Sequence, residues 1–195
     1  MIELEPESIY HIYNRANGSE KIFAYEGNYY FFLDKFKFHL APVTNLFCYC
    51  LMRNHFHFLL QIKTEKELKE VFPLSVTEDF PRLISKKFSN FFSSYSQAYN
   101  KEQKRMGSLF MKNYKRKKVD SQEYLMNLVS YIHNNPVKAG VCKTPEQWKF
   151  SSYRKILTQD SGFIQCKSVV ELFDDLESFK AFHSNPLKTE EEIIF

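Results

Sequence analysis

The chain has 195 residues, of which 44% are hydrophobic and 17% aromatic, enough for one ordinary domain with a real core and too apolar for a disordered protein. Five glycines, with neither GxGxxG nor GxxxxGK(S/T), argue against a phosphate loop and a nucleotide cofactor. The formal net charge of +4 is mild but uneven: "MIELEPES" and "TEEEIIF" are acidic, whereas "KNYKRKK", residues 112–118, is strongly basic. No apolar run reaches membrane-spanning length and no leader pattern opens the chain, so the expectation is a cytoplasmic protein with no membrane partner. Cys48, Cys50, Cys142 and Cys166 have no framework spacing and read as free thiols.

In chain order, "SIYHIYNRA" (8–16) predicts a strand with Ile9, His11, Tyr13 and Arg15 on one face, closed by Asn17-Gly18. Residues 26–40 predict a helix, because Tyr29, Phe32, Leu33, Phe36 and Leu40 recur at helical spacing before Pro42. "TNLFCYCLM" (44–52) and "HFHFLLQIK" (55–63) read as a hairpin turning at Arg53-Asn54. A charged connector (64–80) leads to a long helix from Pro81 to about Arg105, with a core stripe of Phe88, Phe91, Phe92, Tyr95 and Tyr99.

"GSLFMKNYKRKKV" (107–119) then predicts a strand with basic teeth, and "DSQEYLMNLVSYIHNN" (120–135) a helix capped by Asp120 or Ser121 and ended by Pro136. A further helix is expected at 167–183. The order is β-α-β-β-α-β plus an added helix, an α+β, ferredoxin-like arrangement in which two helices cover one sheet face and leave the other available.

Two histidines at i and i+2 share a strand face, so His55 and His57 look away from the core face carried by Phe56, Phe58 and Leu60. They are either packed, hydrogen-bonded imidazoles or metal ligands. With Cys48 and Cys50 across the hairpin, a structural Cys2His2 zinc set is a further alternative. Tyr131 and Asn135, at i and i+4, share a helix face. A phenol is a covalent nucleophile and an amide oxygen is a hard ligand suited to Mg2+ or Mn2+. The basic run is a polyanion footprint or a protected edge, and Tyr114 within it is a base-stacking platform or a packed ring.

"CLMRNHFHFLLQI", "DSQEYLMNLVSYIHNNPVKAGV" and "WKFSSY", with "YHIYNRANGSEKIF" before them, resemble the single-tyrosine HUH transposases, in particular the REP-associated tyrosine transposases, over residues 9–153. The resemblance implies a transposase domain at 1–153 and an extension of unknown role at 154–195. It further implies a divalent metal (Mg2+ or Mn2+) on His55, His57 and Asn135, and Tyr131 as the nucleophile of a DNA endonuclease. The implied partner is single-stranded or hairpin DNA, cut through a 5′-phosphotyrosine, with Lys112, Tyr114, Lys115, Arg116, Lys117 and Lys118 contacting the strand. Arg53 departs from the family's usual proline in the turn. A monomer and a homodimer both fit. The rival from another class is a non-catalytic ferredoxin-like nucleic-acid-binding domain, although no RNP1 pattern is present.

Overall fold

The β-rich, aromatic segments assemble around one sheet in the computed structural model, which describes residues 2–73 and 79–184. Strands β1 (Ile9–Arg15), β2 (Thr44–Met52), β3 (His55–Ile62) and β4 (Lys115–Val119) form an antiparallel sheet in the order β2-β3-β1-β4. This is the ferredoxin-like order that the β-α-β-β-α-β reading requires. The hairpin register pairs Cys50 with His57, and β1 pairs Tyr13 with His57. Cross-strand partners share a face, so Cys50, His57 and Tyr13 lie on one side of the sheet.

Helices α1 (Glu26–His39) and α3 (Phe80–Glu102) cover the opposite side. There Phe32 meets Phe56 with ring centroids 5.2 Å apart, and Phe36 meets Phe58 at 4.8 Å. Phe91 and Tyr95 of α3 pack on Phe32, so the two helices and the sheet share one aromatic core. The connector folds into α2 (Glu65–Val71), where the Thr64 hydroxyl accepts from the Glu67 N–H and the Glu67 carboxylate accepts from the Thr64 N–H. Residues 74–78 of the expected connector lie outside the described residues.

Four local expectations are corrected. The strand expected at 107–119 is regular only from Lys115. Before it, residues 109–111 still bond to the end of β1, but Asn113 adopts φ 64°, a left-handed conformation that asparagine tolerates, and breaks the strand. The helix expected to end at Pro136 continues as α4 (Gln122–Lys138), capped by Ser121. A proline this near the terminus forfeits one backbone bond, and the end closes through Asn135 and Pro136 carbonyls with Gly140 at φ 68°. The sheet face expected to stay available is covered where α4 lies on β2 and β3. Finally, the helix expected at 167–183 is two, α6 (Cys166–Glu171) and α7 (Leu176–Ser184). Asp174 turns left-handed and Asp175 accepts from the Ser178 N–H, starting the second helix afresh.

The rest of the C-terminal part closes the outer edge of β2. The Leu51 N–H donates to the Phe150 carbonyl and the Ser152 N–H to the Tyr49 carbonyl, while Gln165 bonds to Leu46. Trp148 adds an indole N–H bond to the Leu51 carbonyl. An otherwise open edge is thereby paired, and α5 (Tyr153–Leu157), α6 and α7 join the same hydrophobic core.

A buried relay fastens α7 to α4. His183 Nδ1–H donates to the Phe179 carbonyl at 2.7 Å. Its Nε2 therefore accepts from His133 Nδ1–H at 2.9 Å, and His133 Nε2 accepts from the Ser152 hydroxyl at 2.8 Å. Burial lowers the His183 pKa from 6.5 to about 4. An unfolded histidine takes up a proton below about pH 6.5, whereas the buried one resists until about pH 4, so stability is intact above that window and declines as pH falls through it. At pH 5 this one group should cost about 2 kcal/mol. Denaturant unfolding at pH 7 and pH 5 should therefore show a smaller acid loss for His183→Gln than for the unaltered chain. Equal losses would show that His183 is not among the groups that set the acid limit.

Candidate functional site

His55 and His57 sit at i and i+2 on β3, and Tyr131 and Asn135 at i and i+4 on α4. Two strand residues span about 6.7 Å and four helical residues about 6 Å, so one helical turn matches the histidine pair in length. The Asn135 carboxamide lies between the imidazoles: its Oδ1 is 2.9 Å from His55 Nε2, and its Nδ2 is 3.3 Å from His57 Nε2. The Tyr131 ring stands edge-on to His57, centroids 5.7 Å apart, and the Asn135 side chain also hydrogen-bonds Tyr131. The structure thus brings together all four residues that the sequence singled out from two separate segments.

The site is not on an open face. His57 is fully buried, Asn135 is buried, and His55 and Tyr131 are half-buried. Burial lowers the pKa of both His55 and His57, so both are neutral at pH 7. It raises the pKa of Tyr131, helped by the neighbouring Tyr13 and opposed by the bond from Asn135.

The donor chemistry suits a cation. The two ring nitrogens of His55 each face an amide oxygen, Asn54 Oδ1 at 2.8 Å and Asn135 Oδ1 at 2.9 Å. A neutral imidazole has one proton to donate, so with the amides oriented this way one pairing sets lone pair against lone pair. A cation between His55 Nε2 and Asn135 Oδ1 relieves that repulsion. The 2.9 Å separation of His55 Nε2 and Asn135 Oδ1 also suits neighbouring corners of an octahedron, which are about 3 Å apart for metal–ligand bonds of about 2.1 Å.

Among the described residues no group of three or more His, Cys, Asp and Glu side chains is placed to hold a metal. Cys48 and Cys50 therefore do not complete a Cys2His2 set with the histidines, and burial holds both thiols far up in pKa. The side chain that meets both histidines is the Asn135 amide.

The basic run divides. Lys115 pairs with Tyr13 and Lys117 with His11, so these two share the histidine face. Lys117 lies over the Tyr124 ring at 4.7 Å. Arg116 and Lys118 alternate to the other side, where Arg116 lies over Tyr114 at 5.1 Å and Lys118 pairs with Glu5 at 2.6 Å. Tyr114 stacks on Phe88 at 5.3 Å and lies beside Phe92 at 5.0 Å. Lys112 lines a cleft of about 530 Å³ beside α3, with Asn113, Tyr114 and Arg116.

Sequence reasoning passed over four contributors. His11 bonds His57 Nδ1, Tyr13 stacks on His11, Asn54 bonds His55, and the Lys138 ammonium lies 4.8 Å above the Tyr131 ring. Strand alternation had set His11 and Tyr13 on one face, but the register that brings that face to His57 is long-range. The Lys138 position was hidden by the expected helix stop at Pro136; with the helix continuous, Lys138 is two turns from Tyr131 on the same side.

No protein-family model matches the sequence, and no curated protein matches it. Among solved structures, the chain is similar to one described as a REP-associated tyrosine transposase bound to a REP hairpin. The TM-score is 0.59 at 12% identity, covering 85% of this chain and 87% of that one. At that identity the likeness establishes a shared fold, and the four-stranded antiparallel sheet with its flanking helices is that fold.

Proposed function

We propose that the chain is a metal-dependent single-strand DNA transposase or endonuclease of the HUH single-tyrosine type, cutting and rejoining DNA beside a hairpin through Tyr131. The observation that carries this reading is the meeting of Tyr131, Asn135, His55 and His57 at one carboxamide. The shared fold supports it, since the solved neighbour is a transposase bound to a hairpin.

His55 Nε2, His57 Nε2 and Asn135 Oδ1 would hold Mg2+ or Mn2+, which when bound supplies Lewis-acid polarisation of a phosphate oxygen. Tyr131 supplies the nucleophile. Its oxygen bonds to phosphorus as the bond to the 3′-oxygen breaks, leaving a 5′-phosphotyrosine and a 3′-OH, with the phenol proton balanced by the one the 3′-oxygen takes up. The phosphodiester energy stays in the adduct for rejoining, so no nucleotide is consumed.

Asn135 orients the phenol and its bond favours phenolate against the opposing effect of burial, while the Lys138 ammonium lies over the ring. Lys115 and Lys117, on the same face, are the basic residues placed to follow a strand entering the site. Residues 154–184 brace α4 from its far side and carry none of these groups. Among the described residues no helix is long and apolar enough to cross a membrane. A protein that processes DNA works where the DNA is, and the proposal places this one in the cytoplasm.

Tyr131→Phe removes one oxygen and keeps the ring. With a labelled single-stranded hairpin and Mn2+, the unaltered chain should give a covalent band that survives denaturation. The variant should lose it by more than about a thousandfold while binding the hairpin within about twofold. A persisting band would place the nucleophile elsewhere. Hairpin binding by both proteins without cleavage by either would instead favour a non-catalytic nucleic-acid-binding domain.

The divided basic run has its own test. Lys115→Ala with Lys117→Ala should flatten the slope of log affinity against log salt by about 0.7 for each phosphate no longer neutralised, whereas Lys118→Ala, already paired with Glu5, should leave it unchanged. Equal effects from both sets would mean that the strand does not run along the histidine face.

A further inference from the structure

His11 lies on β1, fully buried, 46 positions before His57, its one hydrogen-bonding partner among the described residues. Its Nε2 is 2.8 Å from His57 Nδ1, and the two rings lie nearly coplanar, edge to edge, with centroids 5.1 Å apart at an interplanar angle of 17°. Tyr13 holds it from the other side, with ring centroids 4.6 Å apart. Its second ring nitrogen, Nδ1, is buried with no hydrogen-bond partner among the described residues. A buried polar atom left unpaired is a cost that a leucine at this position would avoid. The imidazole therefore earns no place through packing alone, and its hydrogen bond goes to a candidate metal ligand.

The direction of that bond follows from its neighbours. Asn135 Nδ2–H points at His57 Nε2, which must accept, so the one proton of a neutral His57 sits on Nδ1. Nδ1–H then donates to His11 Nε2. If the proton moved to His57 Nε2, it would occupy the lone pair that a metal needs. We infer that His11 is a positioning residue: by accepting from His57 Nδ1 it fixes the ring's rotation and tautomer and keeps the Nε2 lone pair turned toward Asn135. This rests on the metal site proposed above and assigns to a residue far away in sequence the orienting task that carboxylates or carbonyls perform for many metal-bound histidines.

Binding and tautomer, rather than cleavage, provide the test. Calorimetric titration of the full-length protein with Mn2+ should show binding, and His11→Phe, which keeps a flat ring without an acceptor, should weaken it about 10- to 100-fold. His11→Gln, whose side-chain oxygen reaches about as far as Nε2, should recover most of the loss. In metal-free protein, imidazole nitrogen NMR should show His57 protonated on Nδ1, a reading that needs no variant to fold. An Nε2-protonated His57, or unchanged Mn2+ affinity in His11→Phe beside lost affinity in His57→Gln, would overturn the role of His11 and leave the metal site standing. No Mn2+ binding by the unaltered chain would overturn the metal site and this inference with it.

Discussion

One carboxamide ties helix α4 to the histidine face of the sheet. Asn135 reaches from α4 to both histidines of β3 and to Tyr131 on its own helix. For that to happen the helix must remain helical at the residue before a proline, a position that usually leaves the α region. It does so because α4 runs on to Lys138 and closes with a left-handed glycine, so that only one backbone bond is forfeited. A helix that stopped at Asn135 would fray where the amide has to be most tightly placed.

The two sheet faces have opposite chemistry, and each depends on the other. One face is aromatic and closed by α1 and α3, where Phe32, Phe36 and Phe91 interlock with Phe56 and Phe58. That packing fixes the pleat of β3, and the pleat aims His55 and His57 at α4. The other face carries a polar cluster with neutral imidazoles, a phenol kept protonated by burial and cations at its rim. Such a cluster is costly to bury unless it is bonded throughout or completed by an ion. His55, whose two ring nitrogens both face amide oxygens, is where the proposed cation would complete the cluster.

The segment after α4 explains how that helix is held so closely to the sheet. Pairing of Phe150 and Ser152 with the free edge of β2 anchors the chain downstream of the helix, and the Ser152–His133–His183 relay then draws α7 against α4. These bonds lie behind the site and involve none of its groups. Their effect is to press one helix face onto β2 and β3, which is what converts a sheet face expected to be open into a half-buried pocket. The basic strand β4 is held at the far edge, where alternation sends Lys115 and Lys117 toward the site and Lys118 toward Glu5.

Local periodicity determined much of this. The alternation in "NHFHFLLQ" separates histidines from phenylalanines whatever the partner strands are, and the four-residue spacing of Tyr131 and Asn135 sets them on one helix face. The strand order also followed, because a tight hairpin between two crossovers leaves few arrangements open. Tertiary structure decided what periodicity cannot express. The pairing of β1 with β3 puts His11 against His57, and the docking of α4 by residues far downstream covers the site. Asn113 breaks a strand that its composition favours, and Pro136 sits inside a helix that its neighbours sustain. Each of these depends on contacts between residues distant in sequence, and the energy of such a contact is not contained in either segment alone.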